Sequence, residues 1–191
     1  MLTDLPRSRG FTLAELLIAL LILGVIATFT IPKVLQAQQS SSWNSNAKEV
    51  ISTLSGVFQE RQLAGAITAT TASKDLTPYI NYVRVRTSGT VDNRPGNGTA
   101  NCNTNNPCLH LHNGGVLKFN PCNFDGTSTT NVLPFLFDPD GIVTGDEDSL
   151  AIMIHYNGVV RTDGTAMPAF DHSCGGPFVG PVVDPAWFSW N

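Results

Sequence analysis

Residues 11–32, FTLAELLIALLILGVIATFTIP, decide how the rest of the chain is read. As a helix these twenty-two residues span about 33 Å, one bilayer hydrocarbon core. Glu15 is the only charged residue among them. A carboxylate at the centre of a bilayer costs roughly 2.5–3.5 kcal/mol on insertion scales. Glu15 therefore needs a partner, or the segment must have a destination other than lipid. Arg7 and Arg9 precede the run, which places residues 1–10 in the cytoplasm and the body of the chain outside. A secretory signal would close with a small-residue cleavage site after the apolar run. This run instead ends in Thr30-Ile31-Pro32-Lys33 and continues into Gln36-Ala37-Gln38-Gln39. A plain single-pass anchor is the simplest alternative.

The totals narrow the class. A chain of 191 residues suffices for one domain with a real core and is short for two. The net charge of −4 argues against a general nucleic-acid binder, so charge gives no indication of DNA binding. Only 14% of residues are charged, against about 25% in an ordinary soluble domain. The body is rich in Asn, Thr, Ser and Gly, as suits an extracytoplasmic or polymer-forming surface. Four cysteines, Cys102, Cys108, Cys122 and Cys174, all follow the apolar run. On the outer side an even count reads as two disulfides with three possible pairings, the alternative being four buried thiols. Proximity in sequence favours Cys102 with Cys108 and Cys122 with Cys174.

Gly10 directly before Phe11, with Glu15 at the fifth place counted from Phe11, is the discriminating arrangement. It resembles the N-terminus of type IV pilins and of the related pseudopilins of type II secretion. The resemblance covers about residues 7–35 and includes Gly24, Pro32 and Lys33. It implies cleavage after Gly10 by a membrane-embedded prepilin peptidase, and methylation of the new N-terminal Phe11. It also implies handling by inner-membrane assembly machinery and polymerisation with copies of the chain or related pilin subunits. Cleavage would create an amine on Phe11, and in a staggered filament Glu15 of one subunit would meet the Phe11 amine of the next. Removing one partner from such a low-dielectric pair costs about 3–5 kcal/mol, so the pair would enforce register. The plain alternative is that Glu15 snorkels to the inner interface.

Gly24 lowers helix propensity and allows close helix packing, whereas Pro32 removes a donor and should kink or loosen the helix. Beyond Pro32 the pattern turns amphipathic: Ala47, Val50, Ile51, Leu54, Val57 and Phe58 recur at steps of three and four. The helix is predicted to end near Leu63-Ala64, with Gly65 as its stop. The polar stretch 40–46 is its weakest part, where a local break is expected. Residues 65–108 read as a connector, with a strand over residues 79–85 and loop from Ser88 to Pro107. The Asn-rich residues 101–108 look like a cross-linked surface loop, and Asn97-Gly98-Thr99 fits a glycan acceptor.

Strands then dominate. Asn113-Gly114-Gly115 and Asn157-Gly158 each mark a hairpin, and residues 132–137 form a further strand despite Pro134. An antiparallel sheet packed on the amphipathic half of the helix buries both apolar faces. The fold class is α+β. The expected division is a cleaved leader, residues 1–10, a transmembrane and polymerisation helix, residues 11–35, and a pilin-like head, residues 36–191.

Two constellations bear on chemistry. Asp138, Asp140, Asp146, Glu147 and Asp148 place five carboxylates within eleven residues. Calcium wants six to eight oxygens, and some pseudopilins bind calcium in a C-terminal loop. Asp138, Asp140, Asp146 and Asp148 are thus candidate calcium ligands, against two ordinary solvated Asp-Gly turns. Cys108, His110, His112, His155, His172 and Cys174 raise zinc, but ordinary surface or half-buried histidines are the favoured reading. No nucleophilic triad or phosphate-binding loop stands in a persuasive context, so the chain is not expected to be an enzyme. The expectation is a type IV pilus subunit serving adhesion, motility or DNA uptake. The alternatives are a pseudopilin driving protein export, and a low-abundance tip subunit binding DNA or a surface ligand. The expected path runs from the bacterial inner membrane to an extracellular or periplasmic filament.

Overall fold

The computed structural model describes residues 10–92, 99–119, 124, 132–142, 149–162 and 184–190. A single helix, α1 (Leu13–Leu63), opens the fold. The chain forms two compact units, Met1–Ser40 and Ser41–Asn191, and α1 contributes to both. In the second unit Ala47, Val50, Ile51, Leu54 and Phe58 are buried, the stripe that the three- and four-residue spacing predicts. Val57 packs against the same core. The helix stops where Gly65 takes a positive φ of 67°, a conformation open to glycine at little cost.

Six strands form an antiparallel sheet in the order β1 (Arg84–Arg86), β4 (Cys108–His110), β5 (Val116–Phe119), β6 (Val132–Asp138), β7 (Leu150–His155), β8 (Val160–Arg161). Strands β2 (Thr90–Asp92) and β3 (Thr99–Asn101) pair separately. Alternation along the strands sorts the sheet into two faces. Leu109, Leu117, Phe119, Leu133, Phe135, Phe137, Leu150, Ile152 and Ile154 join the α1 stripe in the main core. On the opposite face Cys108, Val116, Val132, Leu136, Ala151 and Met153 form a second cluster with Val91 of β2 and Cys102. The small hairpin thus caps the face that α1 leaves open.

Both Asn-Gly turns lie where expected, between β4 and β5 and between β7 and β8. Gly115 is required sterically, because a Cβ there would lie 2.5 Å from the Phe137 ring. Pro134 sits inside β6, opposite Met153 of β7. Among the described residues the β5 register reaches Phe135, and at Pro134 the described ladder is the one to β7.

Several expectations are corrected. Residues 79–85 do not form one strand: a 3-10 helix covers Ser73–Tyr79, and pairing begins only at Arg84. Asp75 starts that helix by accepting the Ala72 N–H at 2.8 Å. The residues read as loop after Ser88 contain β2 and β3. Helix α1 does not break over residues 40–46, where side chains bind it to the head. Trp43 meets Trp187 edge to face at 5.8 Å, Asn44 Oδ1 accepts the Ser189 N–H at 3.2 Å, and Asn46 Nδ2 donates to the Asn113 carbonyl at 3.4 Å. The C-terminal aromatics are therefore packed on their own head, with Trp190 Nε1 donating to Thr162 Oγ1 at 3.0 Å. Pro32, where a kink or loosening is expected, lies inside α1.

Candidate functional site

In the first unit every large apolar residue from Phe11 to Leu35 is exposed, from 47% at Val34 to 81% at Phe11. Among the described residues this is the one helix long and apolar enough to cross a membrane. Its polar groups are few and local. Gly24 and Ile26 carbonyls accept the hydroxyls of Thr28 and Thr30 at 2.7 and 2.8 Å. Such back-bonding competes with the helical ladder, and Pro32 withdraws a further donor, from the Thr28 carbonyl. The weak points of the helix thus cluster between Gly24 and Pro32.

The N-terminal end explains part of what Glu15 does. Thr12 precedes the first helical residue, Leu13, and Glu15 lies three residues beyond it. Glu15 Oε2 accepts the Thr12 N–H at 2.7 Å and the Thr12 hydroxyl at 2.8 Å, while Thr12 Oγ1 accepts the Glu15 N–H at 3.3 Å. This is a capping box, two otherwise orphaned backbone donors satisfied reciprocally. The carboxylate also faces the positive end of the helix dipole. Both Thr12 bonds fall on Oε2, and among the described residues no bond reaches Oε1. Cleavage after Gly10 would leave this arrangement intact, because the Thr12 N–H belongs to the Phe11–Thr12 peptide bond. Thr12 is the site residue that sequence reasoning misses, although Thr12-Leu13-Ala14-Glu15 before an apolar run is a recognisable signature.

The remaining candidates separate. Cys102 and Cys108 are disulfide-bonded with Cα atoms 5.5 Å apart. Their side chains are buried in the second cluster, while residues 103–105 between them are exposed, so the cross-linked loop lies at the surface with its staple in the core. Cys122 and Cys174 lie outside the described residues, as do Asn97, His172, Asp146 and Asp148. Asp138 is buried and its Oδ1 accepts the Gly141 N–H, while Asp140 Oδ1 accepts the Ile142 N–H, both at 2.8 Å. Each carboxylate therefore spends one oxygen on its own turn. Among the described residues His110 and His112 take separate partners: His110 Nε2 lies 3.4 Å from Arg84 Nη2, and His112 Nε2 lies 3.2 Å from Asn81 Oδ1. Burial, then the charges of Arg84 and Arg86, hold the His110 pKa below the usual histidine value. No group of three metal-ligating side chains occurs among the described residues.

Residues 5–31 match the family model for the prokaryotic N-terminal methylation motif, the prepilin signature of type IV pilins and pseudopilins. Neither the curated proteins nor the solved structures contain a match to the chain. The motif is joined here to a long N-terminal helix and an antiparallel sheet, an α+β pilin-like architecture.

Proposed function

We propose that the chain is the structural subunit of a type IV pilus, cleaved after Gly10 and polymerised through residues 11–35. The observation that carries this reading is the methylation motif on a helical segment whose large apolar side chains, from Phe11 to Leu35, are all exposed in the single chain. The bilayer shields them first, and neighbouring helices shield them in the filament. The capping box gives Glu15 two successive roles. In the membrane-inserted subunit Thr12 satisfies Oε2, which lowers the cost of the carboxylate. On assembly Oε1 accepts the Phe11 amine of the next subunit. The Cys102–Cys108 disulfide suits a filament exposed outside the cell.

The test expresses Glu15→Leu as the sole subunit alongside the prepilin peptidase and the assembly machinery, then shears and counts filaments. Insertion and cleavage should proceed, while filament yield should collapse, because a buried amine loses its counter-charge. Thr12→Val, which removes the cap but keeps the carboxylate, should reduce yield far less. Undiminished filaments from Glu15→Leu contradict the pairing. Long filaments rich in this chain in the sheared fraction favour a pilus, whereas short periplasmic ones favour the pseudopilin. Calcium at Asp138, Asp140, Asp146 and Asp148 belongs with the pseudopilin reading. A calcium-dependent rise in the melting temperature of the full chain, abolished by Asp140→Ala, would favour it.

A further inference from the structure

The disulfide Cys102–Cys108 lies among cations. Strand register places Arg86 of β1 opposite Cys108 on one side and Lys118 of β5 opposite it on the other. In an antiparallel sheet, directly opposed residues project to the same face. Arg86 is fixed there: its Nη2 donates to the Thr90 carbonyl and lies 3.7 Å from Cys102 Sγ. Its Nε is buried without a hydrogen-bond partner. Lys118 is 1% exposed on the same face. Arg84 and His110 occupy the next row, and Asp138, opposite Val116, is the carboxylate on that face of β6. In the oxidised head a neutral disulfide draws little from these charges. Once it is reduced, a thiolate at Cys102 would have a guanidinium in contact.

The geometry points to a thiol–disulfide exchange site at Cys102–Cys108, tuned by Arg86 so that reduction by a dithiol is favourable, and covered by the β2–β3 hairpin. A cation beside a cysteine lowers the thiol pKa, and stabilising the reduced pair makes its disulfide more oxidising. The exchange is balanced. A reductant thiolate attacks one sulfur, forming a mixed disulfide and releasing the other cysteine as thiolate. The second reductant thiol then displaces the first cysteine, so the S–S bond becomes two thiols or thiolates and the dithiol becomes a disulfide. Burial of both sulfurs makes hairpin opening the slow step. Reduction removes the covalent tie between the end of β3 and β4, which loosens the hairpin over the cluster around Val116, Leu136 and Met153. This inference does not depend on the pilus assignment, because it concerns the head alone.

The experiment equilibrates the full-length chain, in detergent, with graded ratios of reduced to oxidised dithiothreitol. Differential alkylation and peptide mass spectrometry then read the Cys102 and Cys108 peptides separately from Cys122 and Cys174. In reduced protein, the pH dependence of Cys102 alkylation should give a pKa below the ordinary value of about 8.5. Arg86→Gln should raise that pKa by about one unit and require about a tenfold higher ratio for half-reduction. Arg84→Gln, on the same strand but without the sulfur contact, should move both far less. Melting separates tuning from packing: Arg86→Gln should lower the melting temperature of the reduced protein more than that of the oxidised one. Equal losses in both forms, or a Cys102 pKa at or above 8.5 in the wild type, would overturn the proposal.

Discussion

Helix α1 carries two kinds of apolar surface, and their difference separates assembly from folding. Over residues 13–35 the large apolar side chains are exposed on every side. Over residues 47–58 they form a stripe, and that stripe is buried. A stripe with polar flanks is what a helix needs to cover one face of a sheet. An apolar surface all round suits lipid or other helices instead. One segment is thus stabilised by tertiary contacts that the head supplies, and the other by surroundings that it does not.

Substitutions that remove similar apolar volumes should therefore have unequal effects on the two segments. Phe58→Ala leaves a cavity in the main core and should destabilise the head by about 3–5 kcal/mol. Leu20→Ala, in the exposed segment, should leave the thermal unfolding of the head within about 0.5 kcal/mol of wild type. Circular dichroism melts of both variants in the same detergent make the comparison. Equal losses would mean that the exposed segment takes part in the folding of the head.

Trp187→Ala sharpens the boundary between the segments. It removes the edge-to-face partner of Trp43 and loosens the C-terminal tail that holds Asn44. A loss of about 1–3 kcal/mol is expected. Faster amide exchange over residues 43–46, with residues 54–58 unchanged, would locate the effect.

The smallest effect concerns the head alone and its pH dependence. The folded pKa of His110 lies below its unfolded value of about 6.5. Near and below that pH the unfolded chain binds more protons than the folded one. The stabilising contribution is thus complete above pH 6.5, and it falls as the pH drops toward the lowered folded pKa. Denaturant midpoints at pH 7.5 and 5.5 should separate further in wild type than in His110→Gln. The ring is only half-buried, so solvent screens these charges and the difference should be slight.

What the sequence makes legible follows from the strength of each local signal. The α1 stripe and its stop at Gly65 are readable, because a 3.6-residue period sustained over several turns is specific to an amphipathic helix. The two Asn-Gly hairpins are readable because their turns demand those residues. Strands β2 and β3 are not, since each has only three residues and no alternation long enough to detect. The capping box is present as a pattern, yet the charge of Glu15 draws the reading to the membrane and away from Thr12. The position of the disulfide between Arg86 and Lys118 depends on strand register, which no local motif in this chain encodes. Continuity through residues 40–46 is likewise hidden. It rests on Trp187 and Ser189, more than 140 positions away in sequence.

The central claim is that the exposed segment begins a processed subunit, and the N-terminus of the mature chain tests it most directly. Membrane-extracted protein from cells with an active prepilin peptidase should yield, by mass spectrometry, a chain that starts at Phe11 with one added methyl group. A bulky residue in place of Gly10 should block this processing. Recovery of only uncleaved chains from those cells, or of chains cut elsewhere, would contradict the account.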